Sequence, residues 1–427
     1  MIDRPLRGRT YSLRAAICAA MLLVAAAAPA VYAQPPYETV PFDPNVLGQH
    51  RFQVSRIMGM PSLSDADRQV LREYLELYVF GKMAQTDPRN LGELAEDRLA
   101  FQNTLLDRAE NGPVRNELNR LTAGKMREFV EKNFHPATRY NAALILANID
   151  QTKAPDFRTP PVPLPDATRY LLSGILMADQ FQSGRPVDDY LKAAALVGLQ
   201  RHAKLNIPDA TKSELSSAAV QLLSQSDPPG DRSAAAHLWM RRQAVEILAA
   251  LGQPGTGNAA YNALLSAVNE QSSPLWFRQA AASAIGRLTF PQDAGLDGAA
   301  LAAALGRLAV AACDAEAAPA GQTPDQLSDQ MLVTRRRLGA GLHSVQQGLA
   351  AAAKLAPQNQ DISKLQQPTT QLLETLTDTT TDDATIAPQI AQKRSQLQSA
   401  LSSLQPAGAA GATSQAGANT SATGGVN

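Results

Sequence analysis

Four cations in the middle of the chain, Arg139, Lys192, Arg241 and Arg278, each open the same downstream pattern. Three residues later stands Ala (Ala142, Ala195, Ala244, Ala281), four later a small or apolar residue (Ala143, Leu196, Val245, Ala282), and seven later Leu or Ile (Leu146, Leu199, Leu248, Ile285). Offsets of three, four and seven return to one face of an α-helix, so one amphipathic helix is written four times. The starts are 53, 49 and 37 residues apart, and each interval leaves room for a second, antiparallel helix. A chain so patterned is expected to stack helix pairs, because the stripe of one pair needs a neighbour to cover it.

Composition agrees with helices. Aromatic residues are only 5 % of the chain and Ala is abundant, which favours close helix–helix approach and disfavours strands built on β-branched and aromatic side chains. The expected class is all-α, an antiparallel helix-pair solenoid with an N-terminal helical segment and a disordered C-terminal tail. At 427 residues the chain is long enough for several domains or one elongated array. Lys plus Arg and Asp plus Glu stand at 39 each, a formal net charge of zero, so no global field gathers nucleic acid or anionic lipid and nucleic-acid binding is not expected.

The first 33 residues read as a secretory signal. Arg4, Arg7, Arg9 and Arg14 precede an apolar run from Ala15 to Ala28, and Val31-Tyr32-Ala33 ends it with small residues at the cleavage positions. Cleavage after Ala33 predicts an exported chain, periplasmic, envelope-associated or secreted; the alternative is a retained membrane anchor. Of two cysteines, Cys18 lies inside this signal, too early in its apolar run for lipid attachment, and Cys313 is alone in the remainder. Cys313 is expected to be a small buried hydrophobe.

Residues 34–62 carry Pro35, Pro36, Pro41, Pro44 and Pro61 and read as an extended lead-in. Residues 63–135 read as an N-terminal helical segment: one helix opened by Ser64 and stopped at Gly81, a second capped by Asn90, and a third after Gly112-Pro113. The repeated pairs occupy 136–290. A stiff Pro-rich stretch from Pro155 to Pro165 interrupts them and is the best internal boundary. Asp166 and Asp209 are expected to cap first helices, and Ser273 with Pro274 to open the last second helix. Residues 291–404 are C-terminal helices: an Ala-rich one carrying Leu301, Leu305 and Leu308, a longer one from Thr323-Pro324, and a last one from Ile386 to Leu404 whose partner the sequence does not identify. Residues 405–427, without charge, cannot bury enough to order themselves.

The segments Arg139-Tyr-Asn-Ala-Ala-Leu-Ile-Leu, Arg241-Arg-Gln-Ala-Val-Glu-Ile-Leu and Arg278-Gln-Ala-Ala-Ala-Ser-Ala-Ile-Gly, with a weaker copy at Lys192, resemble the second helices of HEAT-type repeats over residues 113–290. The resemblance implies an inter-repeat ladder in which each cation meets an Asp of the preceding turn, with Asp188 or Asp189 and Asp231 as candidates and none evident for Arg139. It also implies protein binding along a concave surface.

No catalytic constellation accompanies the repeats. His50, His135, His202, His237 and His343 are scattered without metal-ligand spacing, and no nucleophile elbow, phosphate loop, dinucleotide fingerprint or haem motif is present. The expectation is no catalytic residue, no metal site and no cofactor. Asp65 with Asp67, and Asp188 with Asp189, stand at helix starts and read as caps. Arg335-Arg336-Arg337 reads as the solvated face of a helix. Trp239, Trp276 and Phe277 read as core, the alternative being an exposed aromatic groove for a peptide.

The expected function is an exported, non-catalytic scaffold or adaptor holding a protein or peptide partner, with no stable membrane insertion once the signal is removed. The rivals are an exported helical enzyme, perhaps one acting on polysaccharide, and a structural spacer of the cell envelope.

Overall fold

The computed structural model describes residues 36–404 apart from 157, 292–294, 317–323, 379 and 382, together with the backbone alone of 324–332, 383 and 384. The predicted signal sequence at 1–33, with Cys18, and the predicted tail at 405–427 lie outside the described residues. The described residues from Thr39 to Leu404 belong to one compact unit and are all-α apart from one short hairpin.

The first helix among the described residues, α1 (Asn45–Ile57), falls where an extended lead-in was expected. Pro41 and Pro44 precede it and Pro61 follows it, so none of these rings breaks a turn. Val46, Val54 and Ile57 share one buried helical face.

Ser64 then starts α2 (Asp65–Glu73) through a reciprocal capping box with Asp67. The helix continues as a π-helical segment, Tyr74–Val79, into α3 (Phe80–Met83). Gly81 is therefore not the stop it was expected to be. A Cβ there would overlap the Pro41 carbonyl and stand 3.0 Å from Phe42 Cα, so the glycine permits close approach instead. Asp87 caps α4 (Pro88–Phe101) by accepting the Asn90 N–H at 3.1 Å; Asn90, expected as the cap, lies inside the first turn. A second π-helical segment, Gln102–Leu106, leads by way of Gly112 to α5 (Pro113–Glu131).

The repeated region begins with α6 (Pro136–Leu146). The Pro-rich stretch is extended as expected: β1 (Asp150–Thr152) and β2 (Val162–Pro163) close it as an antiparallel hairpin. Next come α7 (Pro165–Arg169) running into a third π-helical segment, Tyr170–Leu176, then α8 (Asp189–Ala203), α9 (Asp209–Ser224) and α10 (Ala234–Leu251). The region ends with α11 (Ala259–Asn269) and α12 (Leu275–Gly286). Asp166 and Asp209 sit inside first turns rather than at the caps, which are Leu164 and Pro208. Pro274 takes the cap of α12, one residue before its expected place. Gly252, at φ 65°, ends α10 in the left-handed conformation that L side chains rarely adopt.

Four longer helices finish the unit: α13 (Gly298–Ala315), α14 (Pro324–Leu355), α15 (Gln360–Thr377) and α16 (Asp383–Leu404). The helix α15 lies among the expected C-terminal helices of 291–404 but was not named there, and it carries Pro368 in its interior. Its face of Ile362, Leu365, Thr369, Leu372 and Leu376 is nonetheless buried.

Packing follows a simple order. Each first helix pairs with the next second helix: α5 with α6, α9 with α10, α11 with α12 and α13 with α14. The second helices also contact one another in sequence, α6 to α8 to α10 to α12 to α14. The contact of α6 with α8 spans the Pro-rich stretch, which is thus a surface crossing within one packed unit. Ala142, Ala195, Ala244 and Ala281, and the positions four and seven after each cation, are all 0 % exposed. At roughly 25 cal/mol per Å² of apolar surface removed from water, these stripes are a main source of cohesion along the row. Among the first helices, α9, α11 and α13 are consecutive neighbours. The helix α13 is long and apolar enough to cross a membrane, but 61 % of its apolar window is buried, against α11, α12, α14, α15 and α16.

Candidate interaction surface

The three arginines that open the pattern point inward and are organised by backbone carbonyls. The Nε of Arg139 donates to Val130 O at 2.9 Å, that of Arg241 to Leu223 O at 3.0 Å, and that of Arg278 to Val268 O at 2.9 Å. Each acceptor is the penultimate residue of the first helix of the same pair. The arginine therefore supplies a donor to a helix end whose last carbonyls have none of their own.

The rest of the guanidinium reaches forward to the next pair. Arg139 Nη1 bonds the Asp188 carboxylate and donates to Tyr190 Oη at 2.6 Å, and its plane lies 5.8 and 5.6 Å from the Phe181 and Tyr190 ring centres. Arg241 holds Glu270 with both Nη atoms, at 2.9 and 2.6 Å, and lies 4.9 Å from the Phe277 ring centre. Arg278 takes its carbonyl and, among the described residues, forms no ion pair. The expected Asp of the preceding turn is thus replaced by an acid in the turn ahead of the following second helix. Asp231 joins no described ion pair.

The joint between α8 and α10 is built the other way round. Lys192, in place of Arg, has no Nε with which to hold a carbonyl while its end group bonds elsewhere, and its ammonium stands 3.8 Å from Asp179, itself fully exposed. The cation that closes the joint is Arg232, in the turn before α10, which grips Asp189 of α8 at 2.8 and 2.7 Å. Bonding to Arg232 holds the Asp189 carboxyl below its usual range. His237 backs this arginine: its Nε2 donates to Gln225 O at 2.7 Å, which leaves Nδ1 to accept from Arg232 at 3.2 Å. Asp188 and Asp189, read as caps, thus each serve a different joint. Asp67 does serve its cap.

A cavity of about 160 Å³ opens beside Lys192, walled by Leu176, Met177, Leu222 and Met240 and reached by Asp179 and Arg232. It shares Met177, Ala218 and Gln221 with an open groove of about 450 Å³ between the Tyr170–Leu176 segment and α9, lined further by Leu172, Ser173, Ser213 and Glu214. One wall is apolar, the other carries hydroxyls and a carboxylate, and an ammonium closes one end. Such a trough suits an extended chain or a helix edge better than a compact substrate.

Two tryptophans overturn the core reading. Trp239 is 40 % and Trp276 51 % exposed, whereas Phe277 is fully buried. Both tryptophans stand two residues before their cation, on α10 and α12, which pack side by side. The two indoles thus stand at equivalent positions on neighbouring helices, whose axes run about 8–10 Å apart.

Other candidates resolve into internal roles. Arg335 donates to the carbonyls of Thr375, Leu376 and Asp378 at the end of α15, whereas Arg336 and Arg337 are exposed as expected of a solvated face, Arg337 pairing with Glu316 at 3.2 Å. His202 is fully buried between Thr168 Oγ1 and Ala147 O, and burial pulls its pKa down to about 4. Burial pushes Tyr190 up to about 12 and raises Tyr170 as well, with Glu131 adding to the latter. Tyr190 is held by Arg139, so this convergence of ionisable groups belongs to a joint. Cys313 is buried, its thiol pushed up to about 12 by burial and by Asp314. Among the described residues no group of three or more His, Cys, Asp or Glu is placed to hold a metal ion.

Sequence reasoning missed Tyr190, Arg232 and Glu270. A usable signal existed: Asp188, Arg232 and Glu270 are each a charge in the turn just ahead of a second helix. No family model matches the chain, and neither a curated protein nor a solved structure matches it significantly.

Proposed function

We propose that the chain is an exported, non-catalytic scaffold in which antiparallel helix pairs of HEAT-like type form a solenoid that holds a protein or peptide partner. Export rests on the sequence of residues 1–33. The observation that carries the binding role is the pair of exposed indoles, Trp239 and Trp276, at the same position on adjacent second helices. Large exposed aromatics concentrated on one face are the residue type that anchors protein interfaces, and the folded core does not require them where they stand. The groove beside Lys192 lies one joint away and extends the same recognition region.

The test is capture from the native envelope with three forms of the exported chain: wild type, Trp239→Ser with Trp276→Ser, and a control altered at exposed Gln398 on α16. The reading expects one reproducible partner with wild type and control and its loss with the double variant. Equal recovery with all three forms, or no partner together with a turnover signal on envelope polysaccharide, overturns it.

A further inference from the structure

A second cavity, also of about 160 Å³, lies in the N-terminal part of the unit, away from the joints. Its walls come from Leu47 of α1, from the α2–α3 helix (Tyr74, Tyr78, Val79, Lys82, Met83) and from the α4 helix with its extension (Asp97, Ala100, Phe101, Thr104, Leu105). Two of the three π-helical segments, Tyr74–Val79 and Gln102–Leu106, contribute walls to this one space. A π turn widens the helix and displaces side chains from their regular rows, and such turns concentrate at functional sites.

The lining divides about evenly between apolar surface, from rings and aliphatic side chains, and polar surface that includes Lys82, Asp97 and Thr104. Tyr74 and Tyr78 stack at 5.4 Å between centres in a tilted arrangement. Lys82 Nζ donates to Glu93 Oε2 at 3.0 Å and to Asp97 Oδ1 at 2.7 Å. An ammonium has three hydrogens, so one remains for another acceptor. Asp97 Oδ2 has no hydrogen-bond partner and is sealed from solvent, so the acceptor left for a ligand is Oδ1, which keeps lone-pair capacity beside its bond to Lys82. Lys82 and Arg89 balance Glu93 and Asp97. An added anion would face Asp97 and an added cation would face Lys82, whereas a neutral group that both donates and accepts satisfies both. For scale, an apolar cavity of about 150 Å³ accommodates benzene.

We propose that this cavity binds a small neutral ring compound bearing one hydroxyl or carboxamide, its ring among Tyr74, Tyr78 and Phe101 and its polar group between Lys82 and Asp97. The site is independent of the partner surface on α10 and α12.

Phenol and toluene titrated against the full chain, followed by ligand-observed NMR, test this directly. The site predicts saturable phenol binding and about tenfold weaker toluene binding, the difference expected for a hydrogen bond to a charged group. Ala100 and Thr104 are exposed residues on the rim, so Ala100→Trp and Thr104→Trp block the space without disturbing the core. Each is expected to abolish phenol binding while circular dichroism and melting stay as in wild type. No saturable phenol binding, equal affinity for toluene, or undiminished binding by both folded tryptophan variants overturns the proposal.

Discussion

The joint between α6 and α8 and the joint between α8 and α10 perform one task with the charges exchanged. In the first, the earlier helix provides the cation, Arg139, and the later turn the acid, Asp188. In the second, the earlier helix provides the acid, Asp189, and the later turn the cation, Arg232. The exchange follows from one residue. At Arg139 and Arg241 a planar fork bonds a carbonyl with Nε and a carboxylate with Nη at once; at Lys192 every donor sits on one terminal nitrogen, which lies 3.8 Å from Asp179. The cavity beside Lys192 lies at the joint where the Arg connection is missing. Cohesion and an accessible surface are thus set by the same substitution in the repeated pattern.

The sharpest way to break the comparison is truncation at both joints. Arg139→Ala is expected to cost about 2–3 kcal/mol in denaturant unfolding, because it leaves the buried Val130 O without its donor, while part-exposed Asp188 regains water. Lys192→Ala, which removes a distant and loosely held pair, should cost less than about 1 kcal/mol. Equal losses would mean that the Arg and Lys joints are not different in kind.

Acid titration probes the same seam through His202, which joins α8 to the carbonyl of Ala147 beyond α6. In the unfolded chain this imidazole takes a proton below its ordinary 6.5, but in the folded chain only below about 4. Between those values the unfolded state binds more protons, so stability rises with pH across the window and falls on acidification. The loss on going from 6.5 to 4 is on the order of 3 kcal/mol. Chemical denaturation at stepped pH should show this limb in wild type and a flattened one in His202→Leu.

Asp189→Asn sharpens the reversed joint. Its expected cost is about 1–3 kcal/mol, that of weakening charge-assisted bonds to nearly buried Arg232, and it should be non-additive with Arg232→Ala. Trp239→Ser should change stability by no more than about 0.5 kcal/mol. A larger loss on melting would return that indole to the core and remove it from the proposed partner surface.

The repeated region was legible because its information is local. Ala142 and its counterparts, with Leu146 and its counterparts, sit at fixed offsets and all are buried. The acids and bases that connect one pair to the next were not legible in the same way, since Asp188 and Glu270 meet their arginines across 49 and 29 residues. The reading looked for an acid in the turn before the cation, whereas Arg139 and Arg241 meet theirs after it. At α1 flanking prolines hid a Pro-free helix. The π-helical segments and the cavity they border gave no signal, because one extra residue per turn leaves an apolar pattern that still reads as α-helix.

A pair of double-mutant cycles measured side by side, Arg139 with Asp188 and Lys192 with Asp179, tests the central claim most directly. The account predicts coupling above about 1 kcal/mol for the first pair and coupling near zero for the second. Coupling of similar size in both would contradict it, because the Lys192 joint would then be closed by its own cation rather than by Arg232.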